Sequence, residues 1–395
     1  MKILLSNIGM LDAPYGSFLR TFYFAQELAE MGDEVTLLTT QRKGYRFPYQ
    51  KIRRRNLTII ATPSFEPYKI RKFGYGPLQT LIRIIFALFN RYDIVHADSH
   101  RPVSSFPCIV HKLLKGSKFI AEWWDFNGRT GQFRNKAKIW KRTIGPIDIV
   151  LEKHIFGHAD GVVVLSEFLE KKALEFGQDK TTVKIIWGGA DCKGIEFVPD
   201  SAQYRSKLNI PSDKFVFMAT GVGGDEILEY SPVFDALNQI YEHCSDFVFV
   251  KTGVPVSPAI KQKLISGNYL IEKGFVEYKD YQYLLACADT FVLLQEENDT
   301  NLARWPNCIG DYLAAGRPII FNAYGELRHF AQLCQAGSVV IEMDNTKKLR
   351  HLLNKLIQDR IKMSNKYHEI RGFAESRFSW AQKASELRSF YSKFC

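Results

Sequence analysis

Asn301-Leu302-Ala303-Arg304-Trp305-Pro306-Asn307-Cys308-Ile309-Gly310-Asp311-Tyr312-Leu313-Ala314-Ala315-Gly316-Arg317-Pro318-Ile319-Ile320 is the stretch whose reading decides the fold. It follows an apolar run, Thr290 to Leu294, and an acidic loop, Gln295 to Thr300. Pro306 suits the first turn of a helix, where its missing N–H leaves no bond unmade. The small residues Ala314, Ala315 and Gly316 end that helix, and Arg317-Pro318 stops it before the next apolar strand. The pattern is strand, polar loop, helix, strand. A helix start at a strand's carboxyl edge is where α/β sheets place anionic ligands.

The rest of the chain repeats this alternation. Strands are expected at Lys2 to Ile8, Glu34 to Thr39, Leu57 to Ala61, Asp93 to Ala97, Lys118 to Glu122, Gly161 to Leu165 and Lys184 to Trp187, with helices between them. Ser17 is placed to cap a helix reaching about Met31, with Phe18, Phe22, Ala25 and Leu28 near helical spacing. Residues 192 to 212, polar and containing Pro199 and Pro211, read as a linker. The pattern then restarts at Lys214 to Thr220, followed by the Gly-rich turn Gly221-Val222-Gly223-Gly224-Asp225. Further strands follow at Phe247 to Lys251, Tyr269 to Ile271, Thr290 to Leu294, Pro318 to Phe321 and Ser338 to Ile341, and residues 345 to 395 read as nearly all helical. This predicts an α/β protein with two doubly wound parallel sheets.

Composition narrows the function classes. A chain of 395 residues, 46% apolar, fits two ordinary domains. Its seven cysteines show no CxxC pair and no metal-ligand spacing, which suits reduced thiols and a cytoplasmic setting. Met1 to Leu5 reads as a first strand rather than a secretory signal, and the apolar run Leu78 to Phe89 is too short to span a bilayer and contains Arg83. Residues 1–195 hold 30 Lys and Arg against 18 Asp and Glu, whereas the whole chain holds 53 against 42. The excess positive charge therefore lies in the first half. That half faces an anionic partner or carries a solvated basic surface.

Asp311-Tyr312-Leu313-Ala314-Ala315-Gly316-Arg317-Pro318 resembles the second half of the donor-binding motif of retaining GT-B glycosyltransferases of the family-four-like kind. In that motif two acidic residues flank seven others, ahead of a small-residue helix end and Gly-x-Pro. Ala159-Asp160-Gly161-Val162-Val163-Val164-Leu165-Ser166-Glu167 is similar to the family's Ala-Asp, apolar strand, Ser-Glu signature. Val183-Lys184-Ile185-Ile186 with Gly189-Ala190-Asp191 resembles the strand and turn before its second domain, and Phe378-Ser379-Trp380 the start of its last helix. The resemblance implies a GT-B fold: two Rossmann-like doubly wound domains facing across a cleft, with a C-terminal helix crossing back. The boundaries are then an acceptor-binding domain at 1–195, a nucleotide-sugar-binding domain at 196–378 and the returning helix at 379–395. It also implies sugar transfer by front-face displacement, without metal or cofactor, from a UDP- or GDP-type nucleotide sugar as co-substrate.

The site residues follow from chemistry and resemblance together. A departing diphosphate needs backbone N–H groups and a fixed cation; the helix start at Pro306 supplies the first, through the amides near Asn307 and Cys308, and Arg304 the second. Asp311 suits ribose hydroxyls. Ala303 stands where the first acidic residue of the motif falls, so Glu296, Glu297 or Asp299 takes its place, with Glu297 on the sugar hydroxyls. Gly221 and Gly223 bring amides to a phosphate, or form a tight turn only; the loop 221–229 has no Lys or Arg, leaving Lys251 as a second candidate base. Tyr15, Gly16 and Ser17 occupy the first strand-to-helix loop, which faces acceptor and donor phosphate in the family. Glu122-Trp123-Trp124-Asp125-Phe126-Asn127-Gly128 offers aromatic faces and carboxylates to a sugar, or tryptophan packing anchors. Trp124 or Asp125 stands where the family has a His, and Asp125 is preferred as the sugar or acceptor contact.

His96 and His100 match no zinc spacing and are expected to end a strand and to lie at the surface. Three basic runs (Arg42 to Arg55; Lys69, Arg71, Lys72 and Arg83; Arg129 to Arg142) accompany the apolar Leu78 to Phe89 stretch. They favour an anionic membrane over nucleic acid, and with it a carbohydrate or lipid-linked acceptor and a cytoplasmic protein peripheral at the inner membrane face. The rival readings are a non-catalytic carbohydrate- or nucleotide-binding protein and, more remotely, a nucleic-acid-binding protein.

Overall fold

The computed structural model describes residues 1–11, 16–41, 50–67, 70, 73–224, 226–334, 338–360 and 364–395. Along the first half run β1 (Lys2–Met10), α1 (Gly16–Glu30), β2 (Glu34–Thr40), β3 (Gln50–Arg54), β4 (Leu57–Thr62), α2 (Pro77–Leu88), β5 (Ile94–Ala97) and α3 (Pro102–Lys115). Then come β6 (Lys118–Trp123), α4 (Lys138–Arg142), α5 (Ile144–His158), β7 (Gly161–Val164), α6 (Glu167–Glu175) and β8 (Val183–Ile185). The eight strands form one sheet in the order β3-β4-β2-β1-β5-β6-β7-β8. Every pairing is parallel except β3 with β4.

Parallel strands covered on both faces need apolar residues on both faces. The register shows this directly. Leu4, Val95, Ala121 and Val162 enter one buried cluster, and Ile3, Leu5, Ile94, Ile120 and Val163 enter the cluster on the other side. The edge strand β3 was not expected. It carries Lys51, Arg53 and Arg54 exposed, so part of the first basic run shields a sheet edge from further pairing.

The second half begins with α7 (Ala202–Lys207), inside what the sequence suggested was linker, and continues as β9 (Phe215–Ala219), α8 (Ser231–Tyr241), β10 (Phe247–Lys251), α9 (Pro258–Leu264), β11 (Leu270–Glu272), α10 (Tyr278–Ala286) and β12 (Thr290–Leu293). Two short helices follow, α11 (Asp299–Ala303) and α12 (Cys308–Ala314), then β13 (Ile319–Asn322), α13 (Leu327–Leu333), β14 (Ser338–Ile341), α14 (Thr346–Gln358), α15 (Tyr367–Phe373) and α16 (Trp380–Tyr391). The second sheet is wholly parallel, in the order β11-β10-β9-β12-β13-β14.

The chain divides into two units. The first contains Met1–Gly189, Asn298–Trp305 and Trp380–Cys395; the second contains Ala190–Glu297 and Pro306–Ser379. The first unit thus gathers two later segments. Helix α16 lies along α1, where Trp380 stacks on Tyr23 with centroids 5.1 Å apart and meets Phe24 edge-on at 5.4 Å. Gly189 leaves room for that ring, since a Cβ there would sit 2.7 Å from Trp380. Arg388 and the N-terminal ammonium both bind the buried carboxylate of Asp33, each at 2.7 Å.

Segment 298–305 differs from expectation. The loop of Gln295 to Thr300 ends at Asn298, whose side chain accepts from Asn301 N at 2.9 Å and starts α11. Ala303 is buried in the first unit's core, and Trp305 stacks flat on Trp187, 4.6 Å apart with 2° between planes. Pro306 then precedes α12 instead of opening its first turn. Likewise α1 begins at Gly16, one residue ahead of the cap expected at Ser17.

Candidate functional site

In the first unit the candidate site lies where β6 ends. Trp123 is fully buried, stacked on Phe156 at 4.3 Å, so it is a packing anchor. Its Nε1 donates to the Asp125 carbonyl at 3.1 Å and to Glu152 Oε1 at 3.0 Å, and Asn127 Nδ2 also donates to the Asp125 carbonyl at 3.1 Å. These bonds fix the turn that presents Trp124 and Asp125. Trp124 Nε1 donates to the Asp98 carbonyl. The turn borders a small pocket also lined by Ser99, His100, Arg101 and Asn127.

Arg304 belongs to this unit, not to the second sheet's unit as the sequence suggested. Its neighbours Ala303 and Trp305 are locked in the first unit, so the arginine between them has little positional freedom. Its Nε donates to Asp125 Oδ1 at 3.3 Å, with 43% of the Arg304 side chain and 33% of the Asp125 side chain exposed. A planar guanidinium and a carboxylate that remain partly open can still meet a phosphate and a hydroxyl.

Behind the turn lies a buried ionic framework that sequence reasoning missed. Arg20 Nε binds Glu122 Oε1 at 2.6 Å, while its other nitrogens donate to the Trp187 and Ile186 carbonyls at 2.9 and 2.8 Å. Burial alone would raise the Glu122 carboxyl; Arg20 and His96 outweigh it and hold it down at about 2. His96 ends β5 as expected, and its Nδ1 meets the Tyr391 hydroxyl of α16. His100, expected at the surface, is buried and pairs with Asp148 at 2.8 Å. Glu152 is also buried, and its desolvation pushes the carboxyl up to about 8.

In the second unit Asp311 sits in the first turn of α12, facing the carboxyl end of β9. Tyr281 of α10 donates its hydroxyl to Asp311 Oδ2 at 3.2 Å and to Thr220 Oγ1 at 3.2 Å. The Tyr312 hydroxyl accepts from Thr220 N at 3.1 Å, and its ring stacks on Phe291 of β12 at 3.7 Å. Asp311 keeps part of its surface open. Its carboxyl is nonetheless desolvated: burial pushes it up to about 7, the Tyr281 hydrogen bond pulls the other way, and the negative charge of Asp191 adds to the rise. Tyr312 lies inside the decisive stretch, but nothing in the sequence singles out Tyr281.

The remaining expected residues divide clearly. Gly221 has φ +70°, which only glycine adopts freely, and its N–H donates to Thr252 Oγ1 at 2.8 Å. The Gly223 N–H donates to Glu226 Oε2 at 2.7 Å, so a side chain of the chain itself takes that amide. Lys251 is no surrogate base: it is buried, and its ammonium donates to the Val254 carbonyl. Glu296 and Glu297 are exposed after β12, the former donating its N–H to Glu229 Oε2 at 3.4 Å. Asn307 is the N-cap residue of α12 without a side-chain cap bond, and the Cys308 thiol is raised to about 12 by burial, so it acts as a neutral group. Gly16 and Ser17 open α1, whereas Tyr15 lies outside the described residues, as do Asp225, Arg42, Lys69, Arg71 and Lys72. Arg317 of the Gly-Arg-Pro turn is structural, donating to the carbonyls of Ala288, Ala315, Val198 and Ala286 at 2.7–3.0 Å. Among the described residues no group of three or more His, Cys, Asp or Glu side chains could hold a metal ion.

Residues 16–193 match the sequence profile of Glycosyltransferase Family 4. No curated protein sequence matches the chain. Among solved structures, sucrose-phosphate synthase from Thermosynechococcus elongatus superposes with a TM-score of 0.74 at 15% identity, covering 99% of this chain and 98% of that one. HepE from Anabaena, solved with UDP and glucose, gives 0.66 at 15% identity over 99% of both chains. WaaG, a glycosyltransferase involved in lipopolysaccharide biosynthesis, gives 0.66 at 14% identity over 98% of this chain and 99% of its own. The profile match lies over residues 16–193, most of the first unit, and the fold is shared with these structures along the whole chain, so this protein has the GT-B fold and its first unit resembles Glycosyltransferase Family 4.

Proposed function

We propose that the donor is a UDP- or GDP-sugar, that a hexose is transferred with retention of its anomeric configuration, and that the acceptor is a carbohydrate or a lipid-linked saccharide of a surface polysaccharide. The observation that carries the donor half is Asp311, a carboxylate steadied by Tyr281 at the start of α12 and the carboxyl end of β9. It stands at the second acidic position of the family's donor motif, and its role here is to accept the ribose hydroxyls. HepE, solved with UDP-glucose, supports a nucleotide-sugar donor. WaaG, with its part in lipopolysaccharide assembly, supports a glycolipid acceptor.

In the transfer the bond from the anomeric carbon to the diphosphate oxygen breaks, and a bond from that carbon to the acceptor hydroxyl forms on the same face. The acceptor proton passes to the departing phosphate oxygen, so no further base is consumed. We assign to the Arg304–Asp125 pair contacts with substrate oxygens, the guanidinium with phosphate and the carboxylate with hydroxyls. Asp125 also keeps the guanidinium in place before substrate arrives. A peripheral position at the cytoplasmic membrane face belongs to the same reading.

The test is a thermal-shift screen of the full chain against UDP- and GDP-sugars, followed by NMR of the anomeric configuration of the product. A stabilising nucleotide sugar that fails to stabilise Asp311→Ala is the expected result. Equal stabilisation of both proteins removes Asp311 from the donor site, and an inverted product refutes retention. Arg304→Ala should lower turnover at least a hundredfold, in line with roughly 3 kcal/mol for one charge-stabilising contact; turnover near that of the parent removes the pair from the site.

A further inference from the structure

Helix α2 of the first unit turns polar residues inward and an apolar stripe outward, and α5 does the same in its first half. In α2 the buried residues are Gln79, Thr80, Arg83 and Ala87, while Leu78, Leu81 and Ile85 are 44%, 54% and 49% exposed and Phe89, just beyond, is 72% exposed. Positions 78, 81, 85 and 89 form one helical stripe. The inward polar side is used: Arg83 Nη1 donates to the Asn7 and Val103 carbonyls at 2.7 and 3.2 Å, its Nη2 to Thr40 Oγ1 at 2.5 Å, and Gln79 Nε2 to the same hydroxyl. Arg83 is therefore not part of a surface basic run. In α5 the pattern recurs over the first half, with Asp148 and Glu152 buried and Ile147 and Val150 57% and 65% exposed, while Ile155 and Phe156 further along enter the core. Ile139 of α4 is 72% exposed.

The two inverted segments meet. Tyr75, just before α2, donates its hydroxyl to Asp148 of α5. Lys136, just before α4, lies 5.8 Å from the Phe73 ring and 5.7 Å from Trp140. Around them the charge has one sign: residues 129–142 hold Arg129, Arg134, Lys136, Lys138, Lys141 and Arg142 and no acidic residue. Arg129, Arg134, Lys138 and Arg142 are exposed.

An amphipathic helix with its apolar side outward loses hydrophobic stabilisation unless something else covers that side. We propose that the α2 stripe and the α4–α5 region form one docking face for an anionic lipid bilayer, the apolar residues entering the headgroup boundary and the basic residues meeting lipid phosphate. Charge selects this occupant. A symmetric pair of copies would press two like-charged basic segments together, which costs energy, whereas an anionic leaflet attracts them. The proposal deepens the lipid-linked reading of the acceptor and rests on it for its purpose: an enzyme seated there would meet its acceptor where the lipid holds it.

The experiment is co-sedimentation of the full chain with vesicles of phosphatidylcholine alone or mixed with phosphatidylglycerol. The parent protein should pellet with the anionic vesicles only, and less as salt rises. L81S/I85S and K138Q/K141Q/R142Q should each weaken partitioning, the latter roughly a hundredfold at about 1 kcal/mol per basic residue. Both variants should keep the parent's thermal shift with nucleotide sugar, which separates failure of the face from failure of the donor reading. Absence of pelleting, or pelleting that neither variant weakens, overturns the proposal. So does light scattering that shows a dimer lost in L81S/I85S, because a second copy then covers the face.

Discussion

Asp311 is half protonated near neutral pH, because burial lifts its carboxyl to about 7. If ribose hydroxyls donate to it, only the ionised form is competent, and apparent affinity scales with the ionised fraction. At pH 6 that fraction is about one in eleven and at pH 8 about ten in eleven, so donor affinity should rise about tenfold between them. The sign is fixed: acidification weakens binding. Asp311→Asn keeps the shape and the Tyr281 contact but cannot ionise. Its affinity should be flat with pH, and at pH 8 weaker than the parent by roughly ten- to a hundredfold, the loss of charge-assisted hydrogen bonds of about 1.5–3 kcal/mol. Calorimetry with an intact nucleotide sugar is the assay, since its diphosphate diester does not titrate in this interval. A parent affinity that does not change with pH, or an Asn variant that keeps the parent's pH dependence, refutes the argument.

Two further predictions concern stability. Glu152 is raised from the unfolded value near 4.5 to about 8, so the folded chain holds a proton that the unfolded chain releases across that window. Its contribution is complete below about pH 4.5 and is lost as pH rises through about 8. Glu152→Gln, still able to accept from Trp123 and Asn127, should melt higher than the parent at pH 8 and gain nothing at pH 4.5; a gain equal at both would place the effect elsewhere. Gly316 has φ +69°, and a Cβ there would lie 2.5 Å from the Phe197 ring and 2.8 Å from the Tyr367 carbonyl. Gly316→Ala should therefore destabilise by about 2 kcal/mol or more in denaturant titration, and an unchanged midpoint would show that the turn can relax.

The parallel sheets were legible because their strands are short apolar runs, such as Gly161 to Val164, separated by helices of ordinary period. The end of the donor-type helix was legible for the same kind of reason, since Gly316 and Pro318 have local conformational meanings. What escaped the sequence is set by partners far along the chain. Arg304 looks like part of the second sheet's loop until Trp305 is seen stacking on Trp187. His100 looks like a surface residue until Asp148 is found beside it. Arg83 looks like a member of a basic run, because hydrophobic periodicity reveals a helix but not which side faces inward. The inversion of α2 is visible only once Asn7, Thr40 and Val103 supply the acceptors for its arginine.

Asp33 binds both the first residue's ammonium and Arg388. The first unit is thus assembled from Met1–Gly189 together with Trp380–Cys395, with most of the second unit lying between them in the sequence. On the ribosome the second sheet can complete before the first unit receives α16, which reverses the usual N-terminal-first order. Until then Tyr23, Phe24 and His96 lack their α16 partners and form a surface that a chaperone can hold. Premature termination after Ile341 and ahead of Trp380 would leave that surface open, and the truncated chain would aggregate even though both sheets were already encoded.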